Sequence, residues 1–183
     1  MKISVANSES EISECQNVLR EVFVIEHGFD LVIPDAHEPQ SVYMYAHIDK
    51  VVIGALRIVI KRSGSQIPLE DVTEGDVLDG LGKVGEISRM AILPTYRGKT
   101  LNRSAYSECW ELGGRYGLDN FIIEARYSIR SFHKRLGFVE LGEPFYDPAM
   151  IEPGDSVGEP NAVIMVANVE GLRAKAKPIV SVV

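Results

Sequence analysis

Apolar positions along the chain change their period several times, and each change marks an element. Lys2 to Ala6 reads as a short strand. Ser8 and Glu11 have the S-x-x-E spacing of a capping box, so a helix should open near Glu9. Ile12, Cys15, Leu19 and Val22 then recur at spacings of three and four, with Phe23 beside them, which is one face of an amphipathic helix running to a stop near Gly28. Phe29 to Gln40 contains two prolines and little periodicity and reads as a surface loop. Val42, Met44, Ala46 and Ile48 alternate with polar or aromatic residues, the period of a two-faced strand. A tight turn at Asp49-Lys50 joins it to Val51–Ile60, completing a hairpin.

From Arg62 to Lys83 the pattern dissolves into glycines and the acids Glu70, Asp71, Glu74, Asp76 and Asp79, as in a solvated connector or a lid, with the connector favoured. Val84 to Leu93 is a strand, and a helix opens near Thr100 with Leu101, Ala105, Cys109 and Leu112 on its buried face. Gly113, Gly114 and Gly117 should weaken its end. Phe121 to Ala125 has the unbroken apolar character of a central strand. A helix over Ile129–Leu136 stopped by Gly137, a strand over Phe138–Leu141, a Pro- and Gly-rich excursion over Pro144–Pro160 and a last strand over Ala162–Val169 follow. The resulting order predicts an α/β fold with a mixed central sheet flanked by helices, one domain over residues 1–170, and a frayed tail from Gly171.

Composition narrows the function classes. With 183 residues, 45% of them hydrophobic, the chain suits one ordinary domain. A net charge of −7 and a pI near 5.1 argue against a nucleic-acid-binding surface. Cys15 and Cys109 fall inside helical patterns without metal-ligand spacing and read as buried free thiols, which suits the cytoplasm. No metal, signal peptide or membrane span is expected. The chain should be a monomer or a homodimer.

The stretch VGEISRMAILPTYRGKTLNR, Val84 to Arg103, carries the candidate chemistry. A strand, a Pro-containing turn, basic residues and a helix start coincide, so backbone N–H groups and a positive dipole end converge where a phosphate could sit. The alternative is a basic turn that merely caps a helix. Glu86 and Arg89 are charged residues inside an otherwise apolar strand. They form either a structural ion-pair system with Arg57 or a catalytic pair.

PTYRGKTLNR resembles the acyl-CoA loop of the GNAT superfamily of N-acyltransferases, whose element order matches the one above. Arg97 fills the first position of R/Q-x-x-G-x-G/A, and Thr100 and Asn102 stand at the glycine positions, where side chains reshape the approach to a pyrophosphate. SFHKRLGF resembles that superfamily's signature in the following helix, with His133 where a tyrosine general acid is common. LREVFVIEHGF, the acidic loop, GALRIV and GEISRMAI are together similar to the acyl-homoserine-lactone synthases and the related N-acyl amino acid synthases. The lactone-synthase pattern of spaced acids is met in part by Asp35 and Glu38, with Phe29 where it has tryptophan.

The resemblance implies a GNAT fold with a mostly antiparallel sheet, and an acyl thioester donor that is either acyl carrier protein phosphopantetheine or acyl-CoA. Tyr96, Arg97, Gly98, Lys99, Thr100, Leu101 and Asn102 would hold the phosphates, and the backbone of Met90, Ala91 and Ile92 the pantetheine arm. Arg20, Phe23, Phe29 and Asp35 would bind substrate. Glu86 would deprotonate the amine of a small-molecule acceptor, and Arg57 or Arg89 would grip its carboxylate. His133 is either a surface histidine or the proton donor to the leaving thiolate, a role for which Tyr127 competes. Arg126, Arg130, Lys134 and Arg135, with Arg97, Lys99 and Arg103, form either a solvated face or a patch that steers coenzyme A or an acidic carrier protein. Three functions stay open: an N-acyl amino acid synthase using acyl carrier protein, which is favoured; a conventional acetyl-CoA-dependent acetyltransferase; and a non-catalytic sensor of acyl thioesters.

Overall fold

A computed structural model describes residues 2–73, 76–97, 101–151 and 156–176, with the backbone alone for 101–105, 175 and 176. Among them runs a seven-stranded sheet in the order β1-β2-β3-β4-β5-β7-β6. Its strands are β1 (Lys2–Val5), β2 (Ser41–Ile48), β3 (Val51–Ile60), β4 (Val84–Ile92), β5 (Asn120–Arg126), β6 (Val139–Glu140) and β7 (Ala162–Asn168). Neighbours are antiparallel except β4 and β5, which run parallel because a crossover helix joins them. β6 keeps two residues of the strand expected over Phe138–Leu141.

Helices α3 (Leu101–Arg115), α4 (Arg130–Leu136) and α5 (Val169–Ala176) share one face of the sheet, and α1 (Glu9–Arg20) and the short α2 (Pro68–Val72) cover the other. α1 opens on the expected capping box: Ser8 Oγ accepts from the Glu11 N–H at 3.3 Å, and the Glu11 carboxylate accepts from the Ser8 N–H at 3.0 Å. Beyond Arg20 the helix widens to π-type bonding over Glu21–Glu26, with the His27 N–H reaching the Val22 carbonyl. It stops at Gly28, whose φ of 72° suits glycine.

Three expectations need correction. α3 runs straight through Gly113 and Gly114. The helix lies so close to β5 that a Cβ on Gly113 would stand 2.6 Å from the Phe121 ring, so glycine is there for approach. The tail does not fray at Gly171, because α5 carries the chain to Ala176 with Val169 and Leu172 buried beside Leu112, and Arg173 pairs with Glu111 at 3.0 Å. Residues 177–183 lie outside the described range. The acidic connector is not fully solvated: Ile67 and Leu69 of the α2 turn are buried against Val59, Val84 and Ile122. Two of its acids are also paired, Glu70 with Lys61 and Asp71 with His37.

Both cysteines are buried, as anticipated. Burial pushes the Cys15 thiol up to about 12, followed by the charges of Glu14 and Glu11, and burial raises Cys109 as well. Neither should react with a maleimide at neutral pH in the folded chain, and both should label after urea denaturation; rapid labelling of the native protein, followed by mass spectrometry, would contradict this burial. No described helix is long and apolar enough to cross a membrane.

Candidate active site

β4 and β5 part just past Glu86. Among the described residues they are paired at Val84↔Asn120, Gly85↔Phe121 and Glu86↔Ile122. Beyond that point β4 continues to Ile92 along β3 and β5 continues to Arg126 along β7, so each strand follows its outer partner and a gap opens between them. The gap leads into a cavity of about 370 Å³. Phe23, Phe29, Met90, Ile123, Phe132 and Met150 make its walls mainly apolar, and Ser88, Arg89, Glu124, Arg126 and His133 supply polar groups. A second space of about 360 Å³ shares Phe23, Phe29 and Met90 and extends along Ala91 and Ile92 to Arg97.

Strict alternation would set Glu86 and Arg89 on opposite faces of β4. A bulge prevents it: Arg57 stands opposite Arg89 and Ile58 opposite Ile87, so Ser88 is an extra residue. Cross-strand partners share a face. Arg89 therefore joins Arg57 on the side of the sheet where Glu86 stands opposite Val59.

The result is a compact charge cluster. Arg57 has no solvent exposure. Its Nη1 donates to Asp35 Oδ2 at 2.7 Å and reaches Glu38 Oε1 at 3.5 Å, while its Nε donates to Ser88 Oγ at 2.8 Å. Arg89 Nη2 meets the same Asp35 oxygen at 2.9 Å. Burial would raise Asp35, but the hydrogen bond and charge of Arg57, with the charge of Arg89, hold it below the ordinary carboxylate value. Arg20 donates to the Ile33 carbonyl at 2.6 Å, clamping the loop that carries Asp35. Arg20, Asp35 and Arg57 are not among the cavity's lining residues, whereas Arg89 is.

Glu86 is buried, and one of its oxygens accepts from the Leu69 N–H at 2.9 Å. Burial lifts it to about 7, and it too is absent from the lining. A carboxyl raised in the folded chain contributes stability that is complete below its unfolded value and is lost as pH climbs through the folded one. Melting temperature should therefore fall between about pH 5 and 8, less steeply in Glu86→Gln than in the wild type. Equal slopes in thermal melts would mean that Glu86 is already ionised in the folded chain.

His133 is a buried residue of the cavity and not a surface histidine. It stands edge-on to Tyr106 and Phe138, and burial pushes it down to about 4, so the ring is neutral at pH 7. Its Nδ1 is buried with no hydrogen-bond partner among the described residues. Tyr127 lies under the Arg130 guanidinium at 3.7 Å and is not a lining residue. Phe23 and Phe29 stack at 6.1 Å along the wall, and the Arg126 guanidinium sits 5.7 Å from the centre of the Phe29 ring.

On the donor side, Arg97 pairs with both oxygens of Glu26, one at 2.6 Å, and its Nε donates to the Ile92 carbonyl at 3.0 Å. Tyr96 packs against the cluster of Ala46 and Ile53. The basic concentration is also broken up, since Arg130 and Lys134 both meet Glu140. Gly98, Lys99 and Thr100, with the side chains of Leu101, Asn102 and Arg103, lie outside the described residues. Among the described residues, no group of three or more His, Cys, Asp and Glu side chains is placed to hold a metal ion.

Sequence reasoning missed Glu124, which lines the cavity from β5. Burial and the hydrogen-bonded carboxylate of Asp147 push it up to about 9, and its Oε1 is buried with no partner among the described residues. The available signal was the one that exposed Glu86, a lone acid in an apolar strand.

Comparison with known proteins adds family and fold. The family model described as N-acyl amino acid synthase FeeM matches residues 19–154. No curated protein matches the chain in sequence. Among solved structures, FeeM from uncultured soil microbes aligns with a TM-score of 0.76 at 14% identity, covering 94% of this chain and 93% of that one. An acyl-CoA N-acyltransferase from Pseudomonas aeruginosa aligns with a TM-score of 0.67 at 17% identity, covering 91% and 98%. Escherichia coli ElaA gives 0.67 at 16% identity over the same shares. At these identities the structural likeness speaks for the fold.

Proposed function

The chain belongs to the N-acyl amino acid synthase FeeM family and is an acyltransferase of the GNAT fold; from that premise we propose that it moves a fatty acyl group from the phosphopantetheine thioester of an acyl carrier protein to the amine of an amino acid. The observation that carries this reading is the cavity of about 370 Å³ in the β4/β5 gap. It is far larger than an acetyl group needs, its walls are apolar, and a guanidinium, that of Arg89, reaches it.

The acyl chain would lie between Phe23, Phe29, Ile123 and Phe132, with the thioester where β4 leaves β5. The pantetheine arm would follow the free edge of β4 at Met90–Ile92, toward the second space and the start of α3. Arg89, already oriented by Asp35, offers its remaining donors to the acceptor's carboxylate. Held this way, the amine can attack the thioester carbon directly, without a covalent enzyme intermediate. Arg97 favours a carrier protein over coenzyme A, because its guanidinium is already engaged by Glu26 and is poorly placed to meet a diphosphate as well.

The test is to incubate the protein with acyl-CoAs from acetyl to long-chain, the matching acyl carrier proteins and pooled amino acids, with mass-spectrometric detection of products. N-acyl amino acids are expected with long-chain carrier donors. Turnover with acetyl-CoA and none with long donors would overturn the reading in favour of an acetyltransferase. Donor binding with no product would favour a sensor.

A further inference from the structure

We infer that Glu124, backed by Asp147 at the wall of the β4/β5 gap, carries the proton from the attacking nitrogen to the departing sulfur. This rests on the acyl-transfer reading above and adds a residue to it.

Position comes first. β5 last pairs with β4 at Ile122, and Glu124 lies two residues farther on, on the same face. It stands where the strands separate, opposite the stretch of β4 that carries Ser88 and Arg89, and lines the same cavity as both. Its Oε1 is buried with no partner among the described residues, and a buried polar oxygen is costly to leave unbonded unless a ligand completes it. Its carboxyl neighbours that of Asp147, itself 4% exposed. Asp147 is held firmly: its Oδ1 accepts from the Ala149 N–H at 2.9 Å, its own N–H donates to Asn161 Oδ1 at 2.8 Å, and Asn161 Nδ2 donates back to its carbonyl at 2.8 Å. Glu86, on the same face, adds a further raising influence. The other charged or titratable groups that line this cavity are Arg89, Tyr106, Arg126 and His133.

A carboxyl that is buried beside a second carboxyl holds its proton more tightly. Burial and Asp147 keep Glu124 protonated up to about 9, close to the range of an alkyl thiol, so donation to a thiolate is nearly balanced in energy. His133, neutral and held near 4, cannot act as a cationic acid at neutral pH.

The step balances without any other reactant. The lone pair of the free amine forms the C–N bond while the carbonyl π pair moves onto oxygen. When that pair returns, the C–S bond breaks and its electrons leave on sulfur. Nitrogen must then lose one proton and sulfur must gain one. Glu124 gives its proton to sulfur and takes the one from nitrogen, ending as it began. Glu86, behind α2, is left as the second carboxyl whose charge tunes this group.

The experiment compares wild type, Glu124→Gln and Asp147→Asn under the assay conditions above, with donor affinity measured separately by calorimetry using the long-chain acyl carrier protein. Glu124→Gln is expected to lower kcat by about a hundredfold or more with donor affinity unchanged. Asp147→Asn removes a charge that raises Glu124, so Glu124 loses its proton earlier and the alkaline limb of the kcat profile should move to lower pH. Near-wild-type kcat in Glu124→Gln, or an alkaline limb unmoved in folded Asp147→Asn, would overturn the inference while leaving acyl transfer standing. Absence of product from the wild-type chain would overturn the acyl-transfer reading, and this inference with it.

Discussion

Replacing Asp35 with alanine should cost about 3–5 kcal/mol of folding stability. One carboxylate oxygen stands between two guanidiniums, at 2.7 Å from Arg57 and 2.9 Å from Arg89. Removing it leaves two like charges adjacent across β3 and β4, and Arg57 has no exposure through which water could compensate. Glu38, at 3.5 Å, is too far to take over without movement of the loop. Breaking a buried pair from one side is costly because the surviving charge remains desolvated. Asp35→Asn keeps an acceptor oxygen and should cost less. Urea denaturation with an unchanged slope is the appropriate measurement. A loss below about 1 kcal/mol would show that Glu38 or water replaces Asp35 readily.

Arg89→Met should lower kcat/KM for an amino-acid acceptor by about a hundredfold, with the KM of the donor unchanged. Arg89 is the member of the charge cluster that reaches the cavity, whereas Arg57 is buried behind it with its Nη1 and Nε already engaged. Methionine retains most of the apolar stem and removes the fork that a carboxylate would meet. The control is an amine of similar size without a carboxylate, which both proteins should use equally. An equal loss for both acceptors would mean that Arg89 only supports the strands. Because Asp35 then still pairs with Arg57, the variant should lose less stability than Asp35→Ala.

Much of this was legible along the chain because it is local. The capping box at Ser8 and Glu11, the alternation from Val42 to Ile48 and the stop at Gly137 each depend on neighbours within a turn or a hairpin. Failures came where distant contacts decide. Gly113 weakens a helix in isolation, yet here it admits the Phe121 ring. The segment after Gly171 looks unpartnered until α5 meets α3 through Arg173 and Glu111. His133 sits in a run of charged residues, but α4 turns it inward onto Tyr106 and Phe138. The partnership of Glu124 with Asp147 links a strand to a loop far along the chain, and no periodicity announces such a meeting.

The bulge at Ser88 gives the site a dependence on parity. In a regular strand, an odd separation such as that from Glu86 to Arg89 divides two side chains between opposite faces. One surplus residue reverses that rule for everything downstream of it, and the reversal works only once. Deleting Ser88 would remove the bulge, leave Arg89 opposite Arg57 by ordinary alternation and take from Arg57 the oxygen on its Nε, whereas one further residue inserted between Glu86 and Arg89 would turn Arg89 to the α3 side. Insertion of a residue at this point, far more than exchange of residue type around it, would carry Arg89 away from Asp35 and undo the charge cluster.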